Sequence, residues 1–173
     1  MLKKNIYLDN HASTKIDTRV HKGMISIYNK YFGNPHSSSH QHGWLAESFI
    51  NKSRLKISNA ICSKKDEIFF TSGATESNNL VIKGIALNQN KKKHIITCVT
   101  EHKCVLESCK FLEKIGFKVS YLKVNKYGHI DLKEFKKTIR PETFLVSIMA
   151  VNNEIGTIHP LKKIGRILLG IPG

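Results

Sequence analysis

Three short apolar runs rich in branched and aromatic residues, at 94–99, 117–124 and 143–151, are separated by stretches of helical periodicity at 103–115 and 132–139. Strands divided by helices cannot pair through tight hairpins. Each connection has to cross over the sheet, so consecutive strands run parallel and the sheet faces are covered by helices. This alternation predicts an α/β domain with a mostly parallel sheet, which in turn predicts where chemistry is found: at the carboxyl ends of the strands.

A further strand-turn-helix signal precedes the alternation. The apolar run Glu67-Ile68-Phe69-Phe70 enters the small, polar turn Thr71-Ser72-Gly73-Ala74-Thr75-Glu76, and a helical pattern leaves it through Leu80, Val81, Gly84 and Ile85. Small residues admit a close ligand, and the first amides of a helix attract an anion, so the turn reads as a phosphate site. An ordinary helix capped by Ser72 or Thr75 fits the same spacing. It is neither a Walker loop nor a nucleophile elbow, since Gly-Lys-Ser/Thr and Gly-x-Ser-x-Gly are both missing.

Three predicted strand ends carry polar groups: Thr71 to Glu76, Thr100-Glu101-His102 and Asn152-Asn153-Glu154. A histidine on such a rim can stack on a planar ligand or move a proton near neutral pH, and an asparagine can donate to a ring oxygen. Their convergence on one edge predicts a binding site.

Upstream, 5–14 reads as an extended arm, 17–31 as a helix through Val20, Met24, Ile27 and Tyr28, and 32–43 as a loop. A second helix follows at 44–62, with Leu45, Phe49, Leu55 and Ile57 as its buried candidates. The loop histidines His36, His40 and His42 lack a cysteine or carboxylate partner, which argues against a metal. The net charge is +15, but only four of the 28 basic residues are arginine (Arg19, Arg54, Arg140, Arg166). Scattered lysines without interleaved aromatics speak against specific nucleic-acid binding. No run has the ~18 apolar residues of a membrane span. Cys62, Cys98, Cys104 and Cys109 form no C-x-x-C pair, so the expectation is free thiols in the cytoplasm.

Six ordered motifs carry a resemblance. Tyr7-Leu8-Asp9, Phe32-Gly33-Asn34-Pro35-His36-Ser37, His42-Gly43-Trp44, Phe70 through Asn79, Thr100-Glu101-His102-Lys103 and Val151-Asn152-Asn153-Glu154-Ile155-Gly156 resemble the cysteine desulfurases of the iron–sulfur assembly type, class V aminotransferase-like enzymes. The match runs from about residue 5 to about residue 167, and its version around His102 looks most like the mitochondrial and related bacterial branch. The resemblance implies part of a fold type I large domain, with a mostly parallel sheet flanked by helices, binding pyridoxal 5′-phosphate. It would comprise an arm at 1–15, a helical segment and loop at 16–66, the partial large domain at 67–160, and a helix with a divergent tail at 161–173. The implied activity removes sulfur from L-cysteine, leaving alanine and a persulfide for iron–sulfur clusters and tRNA thiolation. A homodimer and an iron–sulfur scaffold protein are the implied partners.

Carried over position by position, the resemblance gives Ala74 and Thr75 to the cofactor phosphate, His102 to ring stacking and proton transfer, and Asn153 to the ring's phenolic oxygen. Cys104 and Cys109 are then helix residues outside catalysis. His11-Ala12-Ser13-Thr14 departs from the family's usual Ala-Thr-Thr. The 173 residues contain neither the family's Asp for the pyridine nitrogen, nor its Schiff-base lysine, nor its nucleophilic cysteine. His21-Lys22 and His102-Lys103 lack the flanks that mark that lysine. The implied chain is therefore an amino-terminal part, inert by itself, with Ile148, Ile155, Ile164, Leu168 and Leu169 short of packing partners. An interaction module and a basic nucleic-acid-binding protein are the alternative readings.

Overall fold

The structure is a computed structural model, and it describes residues 6–89 and 91–170. The chain divides into two compact units, Met1–Phe70 and Thr71–Gly173. Residues 1–5 of the arm and 171–173 of the tail lie outside the described residues.

The first unit holds two helices. Helix α1 (Thr18–Lys30) starts where the Asp17 carboxylate accepts the Arg19 amide at 2.8 Å. Helix α2 (Gln41–Ala60) starts inside the expected loop, because His40 Nδ1 accepts the Gly43 amide and caps it. Residues 32–40 fold back on that first turn so tightly that a Cβ at Gly43 would fall on the Ser37 carbonyl. The expected apolar stripe of α2 is not its buried face. Gly43, Ala46 and Ser58 are buried, Phe49 is half-buried against Tyr31 at 4.6 Å between ring centroids, and Leu45, Leu55 and Ile57 are exposed. A stripe read from periodicity is buried only where a second layer lies over it, and within this unit the loop closes over Gly43 at the start of the helix.

The run at 67–70 does not form the expected strand. Lys65–Glu67 make a single 3-10 turn in which Glu67 reaches back to the Lys64 amide at 2.7 Å, and the residues after it pair with no strand among the described residues. An extended segment becomes a strand only through a ladder partner.

The second unit is the expected α/β layer structure. It comprises α3 (Ala74–Leu87), β1 (His94–Cys98), α4 (Lys103–Lys114), β2 (Lys118–Leu122), α5 (Leu132–Thr138), β3 (Thr143–Ser147) and α6 (Leu161–Leu169). The strands are parallel in the order β2-β1-β3. Central β1 is buried along its whole length, which explains its unbroken apolar run. Its side chains alternate between two cores. Ile95 packs with Ile82 and Ala86 of α3 and Val105, Cys109 and Leu112 of α4, whereas Ile96 and Cys98 pack with Leu122, Ile130, Phe135 of α5 and Ile164 of α6.

The third strand ends at Ser147, short of the expected 151. Val151 instead pairs antiparallel with Ile158 in a hairpin beyond the sheet. The turn before α5 packs on that hairpin: Gly128 has φ +79°, and a Cβ there would lie 2.7 Å from Ile155 Cδ1. Of the apolar residues expected to lack partners, Ile164 is buried and Ile148 and Leu168 pack on the second core, because α6 closes over that sheet face. Ile155 and Leu169 are exposed, Leu169 at 88%.

Candidate active site

All four expected site residues belong to the second unit. At its start, Ser72 donates through both its amide (2.7 Å) and its hydroxyl (2.6 Å) to the Glu76 carboxylate. Those two bonds, the hydroxyl first, hold the Glu76 carboxyl below the usual carboxylate range. Thr71 Oγ1 lies 2.7 Å from Ser77 Oγ. Neither Ser72 nor Thr75 caps α3. The cap residue is Gly73, which offers no side chain to the first amides, and no atom stands within 4 Å of the place a Cβ would take. Ala74 and Thr75 therefore open a helix whose amino end is uncapped by any side chain, over open space.

The rim of β1 and β3 is built by buried residues that project exposed neighbours. Glu101, 8% exposed, accepts the Met149 amide at 2.6 Å. Burial raises its pKa, and the Met149 bond opposes the shift. Asn152, also buried, donates to the Thr100 carbonyl at 3.2 Å and accepts the Glu154 and Ile155 amides at 3.0 Å each. These bonds tie the loop after β1 to the loop after β3. His102 and Asn153, the next residue in each loop, are exposed and line one cavity of about 480 Å³ with Val99, Lys103 and Glu154.

His102 also caps α4: its Nδ1 accepts the Cys104 amide at 3.3 Å. The starts of α3 and α4 are joined, since Asn78 Nδ2 donates to Cys104 Sγ at 3.1 Å. The structure thus brings His102 and Asn153 together in one cavity. Ala74 and Thr75 stand at the head of the adjoining helix, outside that lining. A larger hollow of about 550 Å³ runs beside β2 and α5, lined among others by Lys123, His129, Asp131 and Glu134. It lies at the carboxyl end of the edge strand β2, and none of the four expected site residues lines it.

The bracing roles of Glu101 and Asn152, and the placement of Cys104 against His102 and of Asn78 against Cys104, were not read from the sequence. The signal available was the pairing of a second polar residue with each rim residue, in Glu101-His102 and Asn152-Asn153.

Residues 6–169 match the family Aminotransferase class-V. The chain is 52% identical over 166 residues to the probable mitochondrial cysteine desulfurase of Dictyostelium discoideum, a match that covers 95% of this chain and 37% of that protein. It is 55% identical over 163 residues to the cysteine desulfurase IscS of Rickettsia prowazekii, covering 94% of this chain and 40% of the relative. Among solved structures, a NifS-like protein superposes with a TM-score of 0.91 at 44% identity, covering 95% of this chain and 45% of its own. SspA in complex with cysteine gives 0.88 at 42% identity, covering 94% and 47%. The chain spans about two fifths of the length of these curated relatives.

Proposed function

The chain belongs to the class-V aminotransferase family, whose members depend on pyridoxal 5′-phosphate, and on that footing we propose that it forms the half-site of a cysteine desulfurase that receives the cofactor's phosphate and ring face. The observation that carries this reading is the shared cavity of His102 and Asn153 at the ends of β1 and β3, beside an uncapped helix start. The residues fit the group. The amides of Ala74 and Thr75, with no side-chain cap, suit a phosphate. The exposed His102 ring offers a stacking face, and the Asn153 amide a donor to a phenolic oxygen.

When bound, the cofactor supplies an electron sink for bond breaking next to the substrate's amino group. The chain's own residues bind, orient and move protons. Glu101 and Asn152 keep the two rim loops at a fixed separation, and His102 Nε2 is available to hold or pass a proton.

The whole protein's substrate in this reading is L-cysteine, in keeping with the relatives' names and with the cysteine complex of SspA. Its products are alanine and a persulfide for iron–sulfur assembly and tRNA thiolation in the cytoplasm, with a homodimer and a scaffold protein as partners. Among the described residues no helix is long and apolar enough to cross a membrane. The 173 residues alone are inactive, because the family's lysine and nucleophilic cysteine motifs are not among them.

Titration with pyridoxal 5′-phosphate, followed by absorbance and competed with inorganic phosphate, tests the half-site. Weak binding that phosphate displaces, that pyridoxal does not reproduce and that His102→Ala perturbs is expected. Equal binding of pyridoxal, or no effect of His102→Ala, would count against it. Given L-cysteine as well, the chain should release no sulfide above the free-cofactor background.

A further inference from the structure

Cys104 Sγ lies 3.1 Å from His102 Nδ1, and the Cys104 amide points at the same nitrogen from 3.3 Å. A backbone amide can only donate, so Nδ1 is the accepting nitrogen, and the neutral ring carries its proton on Nε2. The thiol then also donates to Nδ1. Its sulfur is in turn held by the Asn78 amide at 3.1 Å, from the second turn of α3. The helix of Asn78 packs on α4: the Ser108 hydroxyl donates to the Cys104 carbonyl at 2.8 Å and lies 3.3 Å from Oδ1 of Asn79, the residue next to Asn78. The result is a directed chain from Asn78 through Cys104 to His102, running from one helix to the next and ending at the cavity. Among the described residues no hydrogen bond occupies His102 Nε2.

We propose that Cys104 and Asn78 are positioning residues that lock the His102 tautomer and ring plane, so that an Nε2–H faces the cavity as a donor to an acceptor atom of the bound ligand. The functional part of this inference rests on the half-site reading above, and the tautomer itself does not. Orienting the working imidazole through a bond to its other nitrogen is a general device, because the partner of one ring nitrogen decides what the other can do. Here the amide alone would give an ordinary cap. The thiol is the shorter contact and the one that a side chain supplies, so removing it should free the ring without removing the cap.

The test is nitrogen-15 NMR of the histidine rings in the 173-residue chain, at a pH where they are neutral, with the His102 signals assigned by their loss in His102→Gln. The wild-type ring should be protonated at Nε2. Cys104→Ala should raise the Nδ1-protonated population about three- to tenfold, the factor by which one ordinary hydrogen bond shifts an equilibrium. Cys104→Ser, which keeps a donor, should restore the wild-type signals, and Asn78→Ala should shift them in the direction of Cys104→Ala. A wild-type ring protonated at Nδ1 would overturn the proposal, as would unchanged ring signals in folded Cys104→Ala. If Cys104→Ala does not fold, Asn78→Ala decides in the same way. Failure of pyridoxal 5′-phosphate to bind would sink the half-site reading and leave these signals as they are.

Discussion

The Glu101 carboxylate accepts the Met149 amide at 2.6 Å and so closes the end of β1 onto the end of β3. Removing the acceptor in Glu101→Ala strands a part-buried amide and should cost about 1–3 kcal/mol in urea unfolding. Glu101→Gln keeps an acceptor and removes the charge. Burial raises the Glu101 pKa in the folded state, so its contribution to stability is full below the ordinary carboxylate pKa and is lost as pH rises through the raised value. Glu101→Gln should therefore gain on wild type as pH rises from 4 toward 7. A difference that does not change with pH would contradict the burial argument.

Asn152 and Asn153 are adjacent and should behave oppositely. Asn152→Ala removes four hydrogen bonds from a buried side chain, one of them to the Met149 sulfur, and should lower stability by about 2–4 kcal/mol. Asn153 is exposed, and Asn153→Ala should stay within about 0.5 kcal/mol of wild type while weakening binding of pyridoxal 5′-phosphate. Denaturation and ligand titration of both variants separate the two roles, and equal destabilisation would refute the assignment.

His94, only 1% exposed, bridges all three strands, with Nδ1 2.7 Å from Thr143 Oγ1 and Nε2 2.9 Å from Ser120 Oγ. Burial first, then Arg140 and Lys118, lower its pKa against an opposing pull from Glu142. His159 is lowered too, by burial and by His129. For a depressed base the stability is full above the ordinary value of 6.5 and is lost as pH falls through the folded pKa. Unfolding free energy should hold above that value and decline below it, by at most about 1.4 kcal/mol per pH unit for each histidine. His94→Asn together with His159→Gln should flatten that decline.

Thiol reactivity should sort by burial. Cys62 is exposed, whereas Cys98 and Cys109 are buried. Burial pushes the Cys109 thiol up to about 11, with Glu113 and Glu101 adding to the shift. At pH 8 a disulfide reagent should titrate Cys62 quickly and reach Cys98 and Cys109 only on unfolding. Fast modification of Cys109 in the folded chain would exclude the packing described.

Helix α3 exposes four large apolar side chains, Leu80, Val81, Ile85 and Leu87. Exposed apolar surface drives association, so sedimentation of the purified 173-residue chain should show concentration-dependent self-association that Leu80→Lys reduces. A monomer with a sharp, reversible, concentration-independent melt would refute this.

The amino-acid sequence alone determined the parallel α/β architecture, because helix-length spacers between short apolar runs admit only crossover connections. It also marked the polar loops after two of the three expected strands, since His102 and Asn153 follow the runs that hold β1 and β3, whereas the third expected strand end, 71–76, follows no strand. Tertiary structure decided the rest. Whether 67–70 is a strand depends on a ladder partner, and which face of α2 is buried depends on the loop packed against it. The bond from Glu101 to Met149 spans 48 positions, and the contact from Asn78 to Cys104 spans 26. Local patterning reports what each segment can do by itself. Contacts across such separations exist only once the sheet and its two helical layers have closed, and they are what aim His102 and Asn153 into one cavity.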